Sequence, residues 1–391
     1  MGDSITEQKL YSKNIESYIV ACAGRTDVRV FQFGWGGETA GGFANRAAND
    51  LADFRPTTVT LCYGMNDGSY QPFNDGIGKR YEDSLRKVLE ILRGSGVKHI
   101  VVGSPGAVDT FYFKRDNFAP QTGADGYNES LAHLGKIGKK LADEFQQSFA
   151  DMHQPMIDAM LKSKPVLGDK YDVCGSDGFH PNDNGHLVMA CAFLKGLGFD
   201  GDIGTVTVDM SGNTTATDGH KVVSSAPGSA ELESTRYPFC FQGEPKSSNG
   251  TLSIVPFIPF NAELNRYTLK VANLKVAKAI VEWGGKSKEF TKEQLAAGVN
   301  LAAEFAGMTP FEGSFREFEK RVFAKQNFET FCIKEVTTKL RPFSPEAKAD
   351  FDVAAAFDAL RANLSSRQKA LDDKAREALQ PVKHSIKVTP L

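Results

Sequence analysis

Short apolar, β-branched runs alternate with amphipathic helical stretches over the first 200 residues, and this alternation constrains the fold most strongly. Strands are predicted at 28–33, 57–63, 97–102 and 148–151, and helices at 7–23, 40–54, 81–92, 128–147 and 182–197. Strands that alternate with helices favour a parallel sheet covered by helices on both faces. Residues 1–200 are therefore predicted to form a three-layer α/β/α domain of the α/β class.

The pattern changes near Gly201, where short β-like runs follow one another and are separated by Gly, Asn, Ser and Pro. These runs lie at 205–208, 220–223, 237–241, 251–255, 267–271 and 279–283. They predict an antiparallel, β-rich accessory module over 201–290. Residues 291–391 are predicted to be mainly helical and to pack on that module, with helices at 310–336 and 345–379 and a last strand at 385–388.

Composition excludes some classes of protein. The 391 residues, 41% of them hydrophobic and 24% charged, suffice for two or three domains with real cores. A net charge of -2 gives no electrostatic case for nucleic acid as a partner. No apolar stretch reaches the ~20 residues of a membrane span, and no signal peptide is recognised, so the compartment is left unassigned.

The six cysteines are scattered and lack a Cys-x-x-Cys spacing, so neither a zinc site nor any other metal is expected. Buried free thiols are favoured over disulfides, without settling the redox compartment. The glycine-rich stretch 34–42 lacks the Gly-Lys-Ser/Thr of a phosphate-binding loop, and no Gly-x-Gly-x-x-Gly motif is present. No cofactor is therefore predicted.

Chemically useful residues occur in four separate segments. Ser4 closes a Gly-Asp-Ser tripeptide, and the second segment is the glycine cluster at 34–37. Asn66 lies in Gly-Met-Asn-Asp, directly after a predicted strand, and Asp177 precedes His180 by three residues. A serine hydroxyl becomes a useful nucleophile when a base lies within hydrogen-bond reach and a third group orients that base. Ser4, His180 and Asp177 are the candidates for these three roles.

In this order, the segments resemble the SGNH, or GDSL-type, serine hydrolases over roughly the first half of the chain. The resemblance implies an SGNH-hydrolase, flavodoxin-like domain in which Ser4, Asp177 and His180 are catalytic. It also implies an oxyanion hole made by the backbone N–H of Ser4, the N–H of Gly37 and the Asn66 side chain, with Gly36 as second choice for the glycine. Ile5-Thr6 and Glu38-Thr39 extend the similarity.

Further residues are expected around this site. Asp3, Gly36 and Trp35 are candidate substrate-binding residues, although Asp3 is better suited to ordering the nucleophile loop. Asp67 is either a site-lining residue or a buried hydrogen-bond acceptor. His186 is expected to be a packing or surface residue.

In the SGNH family a hydrophobic strand leads directly into the Gly-Asp-Ser loop, whereas here only Met1 precedes Gly2. The first strand of the sheet is therefore expected to be missing. An upstream segment of the natural protein, the predicted C-terminal strand at 385–388, or no segment at all are the three alternatives for its place. An empty place would leave backbone groups of its neighbours unpaired.

The expected function is that of a serine esterase acting through a Ser4 acyl-enzyme on short-chain or carbohydrate O-acetyl esters. The expected partner is thus a small-molecule or carbohydrate ester. A lysophospholipase or a thioesterase is an alternative. A non-catalytic glycan- or protein-binding protein built on a truncated SGNH domain is another. The oligomeric state is not predicted.

Overall fold

The computed structural model describes residues 1–114 and 123–391. Up to residue 200 its helices are α1 (Ser4–Glu7), α2 (Leu10–Ser17), α3 (Ala40–Ala44), α4 (Ala47–Leu51), α5 (Asp75–Gly94), α6 (Gly123–Glu144), α7 (His153–Leu167) and α8 (Asp183–Gly196). A π-helix, Tyr18–Cys22, continues α2. The strands are β1 (Thr58–Cys62), β2 (His99–Gly103) and β3 (Ser148–Ala150).

Beyond residue 200 the strands are β4 (Asp202–Asp209), β5 (Thr215–Ala216), β6 (His220–Ala226), β7 (Ser229–Ser234), β8 (Arg266–Ala272), β9 (Lys278–Trp283), β10 (Lys286–Thr291), β11 (Val299–Asn300) and β12 (Val382–Pro390). The helices are α9 (Phe260–Leu264), α10 (Lys292–Ala297), α11 (Leu301–Glu304), α12 (Glu312–Phe331), α13 (Ser344–Ala349) and α14 (Phe351–Arg376). A π-helix, Cys332–Thr338, extends α12, and two 3-10 helices are Leu252–Phe257 and Arg341–Phe343.

The first 200 residues form the predicted three-layer α/β/α arrangement. Strands β1, β2 and β3 are parallel and adjacent in that order. Side chains of successive residues point to opposite faces of the sheet. Val102 packs in one buried cluster with residues of α3, α5 and α6, whereas Val101 packs in another with residues of α2, α7 and α8. Each face of the sheet is thus covered by its own helical layer.

The chain start lies inside this sheet. Gly2 makes parallel bridges to both Gly34 and Cys62. The Met1 carbonyl accepts the N–H of Cys62 at 2.9 Å, and the Met1 ammonium donates to the Thr60 carbonyl at 2.8 Å. Met1 and Gly2 therefore occupy the C-terminal end of a strand position that lies between residues 28–34 and β1.

The rest of this strand position, toward its N-terminal end, is a cavity of about 1200 Å³. Residues 28–31 and Phe33 line it on one side, residues 57–60 on the other, and residues of the C-terminal helices complete the lining. The predicted strand at 28–33 does not form, because it has no partner on the cavity side. Its backbone polar groups bond instead to side chains: Val30 O accepts from Lys325 at 2.6 Å and Gln32 N–H donates to Glu329 at 3.2 Å.

The C-terminal strand does not fill this place. Strand β12 pairs with β7 on one side and β9 on the other. It therefore lies within the five-stranded antiparallel sheet β10-β9-β12-β7-β6. A second sheet, of order β11-β8-β4-β5, contains one parallel pair, β4 with β8, within the module predicted as antiparallel. The division predicted at residue 290 stays a prediction, and β12 pairs across it.

Two further local predictions differ from the structure, and one helix was not predicted. In the predicted strand at 251–255, residues 252–255 belong instead to a 3-10 helix, because Pro256 lacks the N–H that a strand would need. Residues 237–241 are buried but irregular, and the Phe239 backbone bonds to the Asn265 side chain. Helix α7 was not predicted. It contains Pro165 near its end, and a proline inside a sequence stretch indicates a helix break.

The C-terminal helices pack on the first domain as well as on the module. Helix α12 contacts both α2 and α14. At the centre of this contact, Lys325 forms ion pairs with Glu16 at 2.8 Å and with Glu329 at 2.9 Å, and its side chain is fully buried.

No helix among residues 1–114 and 123–391 is both long enough and apolar enough to span a membrane.

A buried hydrogen-bond chain crosses the five-stranded sheet. The Trp283 indole N–H can only donate, so at 3.2 Å it fixes His384 Nδ1 as an acceptor. His384 Nε2–H then donates to Ser234 Oγ at 2.9 Å, and Ser234 donates to His220 Nδ1 at 2.8 Å. The chain ends where His220 Nε2–H meets the carbonyl of Ile203 at 2.9 Å. In this chain each imidazole has one nitrogen that donates and one that accepts, so both histidines are neutral.

We expect an apolar extension before Met1 to stabilise the protein. Five alternating Val and Thr residues would continue the strand into the cavity and pair with residues 28–33 and 57–60. The extension would also replace the buried Met1 ammonium, whose pKa burial lowers to about 5, by an amide. A gain of about 2 kcal/mol or more in unfolding free energy follows from this burial and pairing. Urea unfolding measures it, with a Gly-Ser extension of equal length as control. Equal stability of the two extended chains would contradict the assignment of the cavity as a strand position.

We expect His384→Ala to destabilise the fold by about 2–3 kcal/mol at pH 7.5, because Trp283 and Ser234 lose their buried partner. Burial, then the nearby His220, lowers the pKa of His384 to about 4. This folded-state pKa lies below the unfolded value, so the His384 contribution is complete above about pH 6.5 and declines as pH falls toward 4. The stability difference from wild type narrows over this window in urea titrations. The exposed His99→Ala serves as control, and a pH-independent difference would count against the neutral chain.

Candidate active site

The predicted nucleophile begins a short helix. Ser4 is the first residue of α1, and the Asp3 side chain caps this helix by accepting the N–H of Ile5 at 2.9 Å. Asp3 was also a candidate substrate contact, but it is only 2% exposed. Burial is the main cause that raises its pKa to about 7. Its carboxyl group therefore orders the nucleophile turn and does not face open solvent.

Ser4, His180 and Asp177 come together in a hydrogen-bonded line. His180 Nε2 lies 2.7 Å from Ser4 Oγ, and His180 Nδ1 lies 2.7 Å from Asp177 Oδ2. A carboxylate can only accept, so Nδ1 carries the proton and Nε2 is free to accept from the serine hydroxyl. Burial raises the pKa of Asp177, but its bonds to the His180 ring and to the N–H groups of Phe179 and His180 outweigh this and lower it.

The loop that carries His180 is shaped by a glycine. Gly175 has a φ of 81°. A Cβ placed there would lie 1.8 Å from the His180 carbonyl oxygen and 2.8 Å from its carbonyl carbon. The close approach of these two backbone segments therefore sets the position of the His180 side chain relative to Ser4.

The glycine cluster forms a tight turn beside the nucleophile. Glu38 N–H donates to Trp35 O at 3.1 Å, and Gly37 has a φ of 74°. A positive φ at the third residue is typical of a type II turn, which requires glycine there. The Gly36 N–H donates to the Glu7 carboxylate. Among the described residues the Gly37 N–H has no acceptor, so of these two glycines Gly37 has the N–H that is able to donate to a bound oxygen atom.

The Asn66 amide is oriented by two neighbours. Its Oδ1 accepts from the Tyr70 hydroxyl at 3.1 Å, and its Nδ2 donates to the Glu38 carbonyl at 3.0 Å. An amide nitrogen has two hydrogens, and the second has no protein acceptor among the described residues. The geometry thus leaves one side-chain N–H of Asn66 for an incoming oxygen atom.

Asp67 joins the two oxyanion segments. Its carboxylate accepts the N–H of Ala40 at 3.0 Å and of Gly64 at 3.0 Å. Burial is the main cause that raises its pKa to about 6. His186, predicted as a packing or surface residue, is fully buried and accepts the N–H of Tyr11 at 3.2 Å. Asp67 thus ties the Asn66 loop to the start of α3, and His186 binds a backbone N–H of α2 inside the core.

Trp35 lies at the rim of the site and is partly exposed. The backbone N–H of Trp35 donates to the Gly2 carbonyl at 3.0 Å. The Arg46 guanidinium carbon and the Lys334 ammonium lie 5.0 and 4.9 Å from its ring centroid, distances at which cations are attracted to aromatic rings. Two residues not singled out from the sequence, Glu7 and Lys334, therefore reach this turn. Glu7 follows the nucleophile closely, but nothing in the sequence links Lys334 to it.

No group of three or more His, Cys, Asp or Glu side chains suited to a metal ion occurs among the described residues. The six cysteines are free.

Similarity to known proteins identifies a carboxylic ester hydrolase. Residues 1–188 match the family model of the GDSL-like Lipase/Acylhydrolase family, so this part of the chain is similar to that family. An acetylxylan esterase of Geobacillus stearothermophilus is 25% identical over 179 residues, which are 44% of this chain and 74% of the esterase.

Solved structures extend the comparison to the whole chain. The structure of a gut microbial diltiazem-metabolizing enzyme superposes with a TM-score of 0.74 at 20% identity, covering 100% of this chain and 96% of that enzyme. This likeness shows that the β-rich module and the C-terminal helices belong to a fold seen elsewhere. A crystal structure of an acetylxylan esterase from Geobacillus stearothermophilus covers 48% of this chain and 81% of its own, with 24% identity and a TM-score of 0.39.

We expect Gly175→Ala to lower kcat/KM for 4-nitrophenyl acetate about a hundredfold, because the new methyl group pushes His180 away from Ser4. Gly168→Ala is the matched control. Gly168 also has a positive φ, of 98°, but a Cβ there meets nothing within 4 Å. Both variants carry backbone strain, and only the first displaces the histidine. Equal losses in the two variants would contradict the positional argument.

Proposed function

We propose that the chain hydrolyses short-chain carboxylic esters through an acyl-enzyme on Ser4, with carbohydrate O-acetyl esters as the substrate class. The observation that carries the proposal is the continuous line from Ser4 Oγ through His180 to Asp177, with 2.7 Å at each step. This geometry matches the nucleophile, base and orienting group of serine hydrolases.

In the proposed reaction, Ser4 Oγ attacks the ester carbonyl carbon while His180 Nε2 takes the hydroxyl proton. The tetrahedral intermediate collapses as the C–O bond to the alcohol breaks, and His180 returns its proton to the leaving oxygen. Water then attacks the acyl-enzyme by the same proton route and releases the acid. Asp177 holds the imidazole tautomer and stabilises its charged form.

The negative oxygen of the intermediate is proposed to bind three N–H donors: the backbone N–H of Ser4, that of Gly37, and the Asn66 side chain. The turn and the Asn66 contacts described above orient these donors before a substrate arrives, which is the condition for strong electrostatic stabilisation. Removal of one such donor typically costs about a hundredfold or more in kcat.

A small acyl group is supported by the aromatic residues beside the site. The Phe179 ring lies 4.3 Å from the His180 ring, and Tyr70 packs against Phe179 at 5.5 Å while its hydroxyl bonds to Asn66. These rings limit the space next to the histidine. The cavity of about 1200 Å³ beside Met1 does not extend the site, because Ser4, Asn66 and His180 do not line it. The similarity to an acetylxylan esterase supports an acetyl ester on a sugar.

We expect Ser4→Ala to abolish turnover of 4-nitrophenyl acetate and labelling by a fluorophosphonate probe, because both reactions need the serine oxygen. Loss in kcat of a thousandfold or more is the expected magnitude. Circular dichroism verifies that the variant is folded. A wild-type protein that remains unlabelled, or a Ser4→Ala variant that retains activity, would overturn the proposed mechanism.

The substrate class is tested on the same preparation with 4-nitrophenyl esters of two to eight carbons and with acetylated xylo-oligosaccharides. The proposal expects kcat/KM to fall with acyl length and acetate to be released from the oligosaccharide. Preference for the eight-carbon ester would favour a lipase-like function. Saturable glycan binding without hydrolysis would favour the non-catalytic alternative.

A further inference from the structure

A single carboxylate connects the nucleophile helix, the glycine turn and the C-terminal helix. Glu7 lies in the same short helix as Ser4, and its Oε2 accepts the N–H of Gly36. Its Oε1 accepts from the Lys334 ammonium at 2.6 Å, a contact between residues 327 positions apart. The side chains of Glu7 and Lys334 are 26% and 23% exposed, so the pair is substantially shielded from water.

Lys334 contacts the turn in a second way, because its ammonium lies 4.9 Å from the Trp35 ring centroid. Trp35 and Gly36 are the first two residues of the turn whose third residue is Gly37. The Gly36–Gly37 peptide is exposed and carries the N–H that the proposed function assigns to the oxyanion. The orientation of this peptide therefore depends on what holds Trp35 and Gly36.

The backbone around Lys334 explains how it reaches the site. Residues Cys332–Thr338 form a π-helix at the end of α12. The same π-helix is fixed on its other side, where Thr338 donates to Asp50 at 2.8 Å and Asn49 donates to the Thr337 carbonyl at 3.0 Å. Local π-helical geometry shifts side chains out of the α-helical register and is frequent at functional sites.

We infer that Lys334 is a positioning residue for ester hydrolysis, which acts through Glu7 to fix the Gly36–Gly37 peptide. This inference rests on the proposed function of Ser4 and the oxyanion donors. Lys334 itself touches neither the substrate nor the reacting atoms. Its ammonium holds the Glu7 carboxylate in the position that binds Gly36 N–H, and the N–H of Gly37 is thereby directed toward the intermediate.

The test compares Lys334→Met, which keeps an apolar side chain of similar length, with Lys339→Met. Lys339 is at the end of the same π-helix and pairs with Glu335 on an exposed surface. Hydrolysis of 4-nitrophenyl acetate is measured per mole of fluorophosphonate-titrated serine. We expect kcat of Lys334→Met to fall about tenfold with KM within twofold, since a donor is misdirected and not removed. Lys339→Met stays within twofold of wild type.

Two further variants separate positioning from stability. Lys334→Arg keeps the charge and is expected to recover at least half of the wild-type kcat. Glu7→Gln lowers kcat by a similar factor to Lys334→Met, and the double variant is no worse than the more impaired single variant, because both changes break one connection. The inference would be overturned if the variants lost only melting temperature or the fraction of titratable serine. It would also be overturned if the losses in kcat of the two single variants multiplied in the double variant.

Failure of the inference is distinguishable from failure of the proposed function. A wild-type protein without Ser4-dependent hydrolysis would refute the proposed function, and the positioning role with it. Ser4-dependent hydrolysis together with equal kcat in Lys334→Met and Lys339→Met would refute the positioning role alone.

Discussion

The close packing of backbone around Gly2 is the constraint on which the site depends. A Cβ there would lie 2.0 Å from Thr6 Oγ1 and 2.6 Å from the Cys62 carbonyl oxygen, so no larger residue fits. Through Gly2 and Met1 the nucleophile turn bonds to the turn at Trp35 and to β1, which leads into the Asn66 loop. One backbone junction thus brings together three of the four segments that carry the chemistry, and only the His180 loop arrives from elsewhere.

The buried ammonium of Lys325 makes the C-terminal helices part of the first domain. Its three hydrogens are matched by three acceptors, on Glu16, on Glu329 and at the Val30 carbonyl. Burial lowers the pKa of Lys325, but the two carboxylates outweigh this and raise it. Loss of one partner from such a buried group is strongly destabilising, which favours one fixed arrangement of the two parts. Lys334 lies about two turns further along, in the π-helix that extends α12, so this contact also fixes the position of Lys334.

The sequence predicted what depends on local pattern and missed what depends on distant partners. The layered α/β fold of the first half and the β-rich module follow from periodicity, and both are confirmed. The stretch at 28–33 has the composition of a strand but lacks a neighbour, and composition cannot reveal a missing neighbour. The short motifs around Ser4, Asn66 and His180 identified a candidate site because each lies at the end of a predicted element. The contact of Lys334 with Glu7 spans 327 positions and carries no local signal.

The place of β12 in its sheet has a consequence for how the protein is made. Residues 382–390 lie between β7 and β9, so both neighbours leave the ribosome well before the strand that separates them. Until then, the edges of β7 and β9 that will receive β12 are exposed to wrong partners, a state prone to association. The accessory sheet therefore closes only after residues 382–390 have been made, and a chain interrupted before residue 382 keeps both of these edges exposed.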